Sequence, residues 1–182
     1  MKKLIPIILL LPFVAFGGEF STQKAKKVDN YLKKISLKRK RSVIMKSVSF
    51  TEAELNSYLN IIYSRRYAPE VKYIKLNLRK DNFVSGNMKV LLKGEKYSKL
   101  PSFLKDFEID FEGKIECNRY RMRYNFEKIK INGTTFAPEI LDEAFFASQT
   151  NFKIKKSIFD WFRLLPGIKN IKTANKKITI YY

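Results

Sequence analysis

Residues 107–126 carry the pattern that most constrains the fold. Phe107, Ile109, Phe111, Ile115 and Cys117 alternate with Glu108, Asp110, Glu112 and Glu116. Tyr120, Met122, Tyr124 and Phe126 then alternate with Arg119, Arg121, Arg123 and Asn125. A period of two sends successive side chains to opposite faces of a strand, so both runs read as strands with one apolar and one charged face. A turn at Asn118-Arg119 makes them a hairpin. The expected pairs are Glu116 with Arg121, Ile115 with Met122 and Phe111 with Phe126, setting acid against base outside and apolar against apolar inside. The phase slips at Glu127, since Ile129 and Ile131 continue on the opposite parity, and a bulge is expected there.

Other strands follow from the same rule. In 71–79, Ile74, Leu76 and Leu78 alternate with polar residues, and in 83–93, Val84, Met88, Val90 and Leu92 share a face with Gly86. Short strands are expected at 41–50, 168–173 and 177–182, the last two joined by a turn at Ala174-Asn175. Residues 51–64 predict the main helix. Thr51-Glu52-Ala53-Glu54 fits a capping box, Phe50 and Leu55 have the spacing of a hydrophobic staple, and Leu55, Tyr58, Leu59, Ile62 and Tyr63 form its apolar stripe. Arg65 and Arg66 suit the helix end, and Ala68-Pro69 stops it. A lysine-rich helix is expected at 21–35, with Ala25, Val28, Leu32 and Ile35 inward, and a further helix at 138–148, with Pro138 at its first position. The expected class is α+β.

At the N-terminus, Lys2 and Lys3 precede an apolar stretch from Leu4 to Phe16 and then Gly17-Gly18, the layout of a secretory signal peptide. The stretch falls short of the roughly 20 residues a spanning helix needs. No cysteine follows it, so a lipoprotein anchor is not expected. Residues 1–17 are read as a signal peptide and 18–182 as a single α+β domain, with a basic helix at 18–40. The protein is expected to be exported to the periplasm or beyond.

The 182 residues hold 37 Lys and Arg against 17 Asp and Glu, a net charge of +20. Export argues against a nucleic-acid partner for this charge, and the lysine excess is partly background composition. Its distribution is more informative: segments 24–46 and 153–177 are basic, with Asp29 and Asp160 their only acids. The chain has no histidine and one cysteine, which removes histidine triads, thiolate metal clusters and internal disulfides, so no metal and no cofactor is expected. Glu108, Asp110 and Glu112 read as a solvated strand face beside cations, which lower carboxyl pKa values rather than prepare a general acid. Cys117 points inward with no base to activate it. No catalytic residue is expected.

What remains is a large apolar face with one strongly amphipathic helix to pack on it. Leu55, Leu59, Ile62, Leu76, Met88, Val90, Ile109, Phe111, Met122, Tyr124 and Phe126 are its candidate lining. Periodicity does not separate a filled core from an apolar cavity. Trp161 and Phe162 lie in an apolar run collared by lysines that include Lys155 and Lys156; these four are candidates for contact with an anionic membrane, unless the aromatics are simply core.

The order of elements resembles a known group. A secretory signal, a strand leading into Phe50-Thr51-Glu52-Ala53-Glu54-Leu55-Asn56-Ser57-Tyr58-Leu59 and then long alternating strands resemble the LmeA-like and YceB-like envelope proteins. Ile131-Asn132-Gly133-Thr134-Thr135-Phe136-Ala137-Pro138-Glu139-Ile140-Leu141 and Leu165-Pro166-Gly167-Ile168 add to the likeness, which spans roughly 41–182. Those families are similar to tubular lipid-binding (TULIP-like) domains. The resemblance implies a long, strongly curved antiparallel sheet wrapped around the main helix, with one or two further helices and an apolar interior that takes lipid chains. It carries over no catalytic motif, and the basic N-terminal helix has no counterpart in it. The expected function is non-enzymatic binding of a lipid or other amphiphile; the alternative is an envelope adaptor with a filled core that docks a protein partner. The oligomeric state is left open.

Overall fold

Two antiparallel sheets and a helical pair make up the structure, a computed structural model that describes residues 20–37, 45–95, 105–118, 120–140, 142–143, 157 and 159–182. The expected signal peptide, the start of the 41–50 strand, the end of the 138–148 helix, and Lys155 and Lys156 lie outside the described residues.

Helix α1 (Thr22–Leu37) buries Ala25, Val28 and Ile35, the stripe its spacing predicts, and leaves its lysines in solvent. Strand β1 (Ser47–Thr51) runs into α2 (Glu52–Tyr58) through the expected capping box. The Glu54 amide donates to Thr51 Oγ1 at 3.2 Å and the Thr51 amide donates to Glu54 Oε2 at 2.8 Å. The helix continues as a π segment (Leu59–Tyr63) and then α3 (Ser64–Tyr67). Residues 138–140 and 142–143 are helical, as Pro138 predicts.

Strands β2 (Val71–Leu78), β3 (Phe83–Leu91), β4 (Asp106–Asn118), β5 (Arg121–Ile131) and β6 (Thr134–Phe136) lie in that order in the large sheet. Strand β7 (Phe162–Arg163) adds to β5. The small sheet has the order β1-β9-β8, with β8 (Asn170–Ala174) and β9 (Lys177–Tyr181). It is tied to the large one by backbone groups. The Lys176 amide donates to the Leu78 carbonyl at 2.9 Å and the Thr173 amide to Asn82 Oδ1 at 2.9 Å, while the Glu52 amide at the start of α2 donates to the Lys176 carbonyl at 2.9 Å. The core sits at this junction: Val28, Ile35, Phe50, Leu78, Val84, Leu164, Ile168, Ile178 and Ile180.

The expected hairpin forms with its register moved by two residues. Asn118 faces Arg121, Cys117 faces Met122, Ile115 faces Tyr124, Glu116 faces Arg123 and Phe111 faces Ile129. Its turn therefore lies between Asn118 and Arg121 rather than at Asn118-Arg119, and Tyr120 takes the left-handed φ of +69°. A slip of two preserves every face, which is why the alternation alone did not distinguish the two registers. The terminal turn also moves, by one residue, to Asn175-Lys176. The bulge lies where the phase slip puts it: Glu112 faces Lys128 and Gly113 faces Phe126, leaving Glu127 as the extra residue. Any side chain at Gly113 would collide with the Asn125 carbonyl.

The expectation of a strongly curved sheet around the main helix is met only in its coarser part, an antiparallel sheet with few helices. The sheet is not strongly curled, and α2 runs along its β2 edge. There the Asn56 amide donates to the Leu76 carbonyl at 2.9 Å and its oxygen accepts the Leu76 amide at 2.8 Å. Asn60 does the same with Ile74, at 2.6 and 3.0 Å, and Glu52 Oε2 accepts the Leu78 amide at 2.6 Å. Four residues of helix rise about 6 Å and two residues of strand about 6.7 Å, so side chains at i, i+4 and i+8 meet alternate residues of an antiparallel strand. The helix satisfies the outward backbone groups of β2, which would otherwise offer a template to another chain.

Candidate functional site

Directly opposed residues in antiparallel strands share a face, so the register lays out the apolar surface row by row. Ile74, Met88, Ile109 and Ile131 form one row across four strands. Leu76, Gly86, Phe111, Ile129 and Phe136 form the next. Leu78, Val84, Gly113 and Phe126 follow, then Ile115 with Tyr124, and Cys117, Met122 and Phe162. The sheet thus brings Leu76, Met88, Val90, Ile109, Phe111, Met122, Tyr124 and Phe126 together on one face. Of the helical candidates, Leu55 packs against the core. Leu59 and Ile62 are half-buried in the π segment.

Glycines opposite aromatics fill the middle of this face. A Cβ at Gly86 would stand 2.6 Å from Phe111 Cζ, so the Phe111 ring lies in the space a side chain would take, a pairing known to stabilise glycine in sheets. Tyr124 reaches from β5 past Gly113 and donates its hydroxyl to the Val84 carbonyl on β3 at 2.5 Å. Burial, then the charges of Glu112 and Glu127, push the Tyr124 hydroxyl pKa up, so it stays a neutral donor. The rings of Tyr124 and Phe126 meet at 4.6 Å, Phe111 and Tyr124 at 5.7 Å, and Phe126 and Phe159 at 6.3 Å. Beyond them, Ile74, Met88, Ile109 and Ile131 are only partly buried and lie outside the core cluster.

The opposite face is polar, as the acid alternation predicts. Lys75, Asn87, Asp110, Lys130 and Thr135 form one row, with Asn77, Ser85, Glu112 and Lys128 beside it. A cleft of about 270 Å³ lies over these rows. Its walls mix both signs, and Asn87 is committed to Asp110 at 2.7 Å, so it concentrates neither charge.

At the β4–β5 turn, Arg123 donates to Glu116 Oε2 through Nε at 2.8 Å and lies 2.7 Å from it through its terminal nitrogen. Its guanidinium lies 4.9 Å from the centre of the Trp161 ring. Trp161 is therefore half-buried beneath Arg123, while Phe162 is exposed. The two basic segments meet here, since Gly167 lies against the Ile35 carbonyl at the end of α1.

Cys117 is half-buried, and burial raises its thiol pKa, against the partial effect of a backbone hydrogen bond from Ile171. No metal-binding group of carboxylates and thiols is found among the described residues. The edge clamp, Asn56 and Asn60, escaped sequence reasoning. Its signal was the polar series Glu52, Asn56, Asn60 at a spacing of four on an otherwise amphipathic helix. No protein-family model, curated protein or solved structure matches this chain.

Proposed function

We propose that this is an exported, non-enzymatic envelope protein that binds the acyl part of a lipid or other amphiphile against the apolar face of its large sheet. What supports this most is the row Ile74, Met88, Ile109 and Ile131, a four-strand-wide apolar strip that is partly exposed and outside the packed core. An acyl chain lying along it would bury that strip, at roughly 25 cal/mol for each Å² covered. In this reading the sheet closes further around its ligand, toward the wrapped form that the resemblance implies.

Organic extraction of the purified protein, followed by mass spectrometry, tests the proposal, together with uptake of a fluorescent fatty acid. Recovery of an amphiphile and loss of uptake in Met88→Glu are the expected results. No amphiphile and no uptake by the wild type would overturn it. The aromatic cluster over Gly86 and Gly113 favours a second reading, an envelope adaptor whose filled sheet face supports a protein-docking surface. That reading gains if extraction yields nothing and Met88→Glu changes only stability.

A further inference from the structure

We infer that the end of the molecule formed by the β4–β5 turn and residues 162–167 is a docking surface for an anionic lipid bilayer. It is independent of what the sheet face binds. Tyr120 and Leu165 are 51% and 53% exposed, and the Leu164 amide donates to the Tyr120 carbonyl at 2.9 Å, so the two sit on one tip. The left-handed φ of Tyr120 is an unfavourable conformation for a bulky residue, which a polar turn residue such as Asn would adopt more readily. Tyr120 nevertheless holds that conformation with half of its surface in solvent.

The charges make the same point. Arg121 and Arg163 face each other directly across β5 and β7, both exposed, and neither pairs with an acid among the described residues. Like charges at directly opposed positions are destabilising, and an anion between them relieves the repulsion. Residues 161–182 contain no Asp or Glu, and neither do residues 30–37 at the end of α1, where Ile35 meets Gly167. Exposed apolar side chains inside a cationic collar fit the interface of a membrane with acidic headgroups, where the apolar groups enter and the arginines stay at headgroup level. A nucleic acid would use the arginines and leave Leu165 in water.

Co-sedimentation of the purified protein with vesicles of phosphatidylcholine, alone or with about a third phosphatidylglycerol, tests this. Binding to the anionic vesicles and little to the neutral ones is expected. Arg121→Gln with Arg163→Gln should weaken it about 30-fold, and Tyr120→Asn with Leu165→Ser about tenfold. All four positions are exposed, so thermal melts should show both double variants folded. Met88→Glu should bind vesicles like the wild type, so failure of the acyl-binding proposal and failure of this one are read separately. Equal binding to neutral and anionic vesicles would overturn the inference. So would wild-type binding by either folded double variant, or binding to duplex DNA as tight as to vesicles and unchanged by the Tyr120 and Leu165 substitutions.

Discussion

At the hairpin joining β2 to β3, Leu78 and Val84 face each other and are 3% and 2% exposed. Four residues along the same strands, Ile74 and Met88 face each other on the same side of the sheet and are only partly buried. The alternation that produces the two pairs is the same; their neighbours differ. Leu78 and Val84 belong to a cluster that takes side chains from α1, β1, β9 and the 164–168 segment. The other pair lies beyond that cluster. A strand pattern decides which face a residue takes, and only the elements packed on that face decide whether the residue is used for stability. The near end of the sheet is packed into the folded core, whereas the Ile74–Met88 row keeps part of its apolar surface in solvent.

The largest expected effect tests this contrast directly. Phe50 is 1% exposed in the junction core, and Phe50→Ala should cost about 3–5 kcal/mol in urea denaturation. Met88→Ala at the far end should cost about 1 kcal/mol, because a partly exposed side chain leaves little cavity behind. Similar losses at the two positions would mean that the far end is core as well.

The edge clamp gives the next effect. Asn56→Ala leaves the Leu76 amide and carbonyl without partners beside a helix that excludes much of the water, at an expected cost of about 2–3 kcal/mol. Amide hydrogen exchange at Leu76 should accelerate with it, and exchange at the β8–β9 pairs should follow only through the global loss of stability. Faster exchange spread evenly over both sheets, beyond that global change, would show that Asn56 is not specifically an edge lock.

Much of this architecture was legible in the chain, for reasons that differ by element. The α1 stripe, the capping box at Thr51 and the faces of β2 to β5 are written in local spacing and survive in the fold. The bulge was legible because Ile129 and Ile131 change parity after Phe126. The hairpin register was not: pairing Glu116 with Arg121 or with Arg123 satisfies the same charges and the same faces, and a left-handed Tyr120 is not a turn residue that local spacing announces. The position of α2 was misread for a different reason. Its apolar stripe suggested a helix lying across a sheet face, whereas Asn56 and Asn60 on its flank fix it along an edge. Trp161 and Phe162 are adjacent in sequence, yet one lies beneath Arg123 and the other is exposed, a division that depends on a distant strand.

The smallest expected effect distinguishes the two ends by pH. Glu54 is buried between α1 and α2, and Lys27 Nζ lies 2.6 Å from its Oε1. Burial by itself raises the carboxyl pKa, but the Lys27 hydrogen bond, the Thr51 amide and hydroxyl, and the Lys27 charge together outweigh it and hold the group below its ordinary 4.5. A carboxyl depressed in the folded state stabilises the fold above its unfolded pKa, and that contribution disappears as pH falls through the folded value. Glu54→Gln can still hydrogen-bond to the Thr51 amide but loses the ion pair. Because Lys27 is half exposed, the loss at neutral pH should be only about 1 kcal/mol. The difference between wild type and variant should close as pH drops below 4.5, since the protonated wild type then resembles the variant. Met88→Ala, with no titrating group at its site, should keep a constant offset from wild type over the same range. Urea midpoints at a series of pH values read both. A constant offset for Glu54→Gln would show that the α1–α2 ion pair contributes nothing to the packed end, leaving apolar burial alone to hold α1 in place.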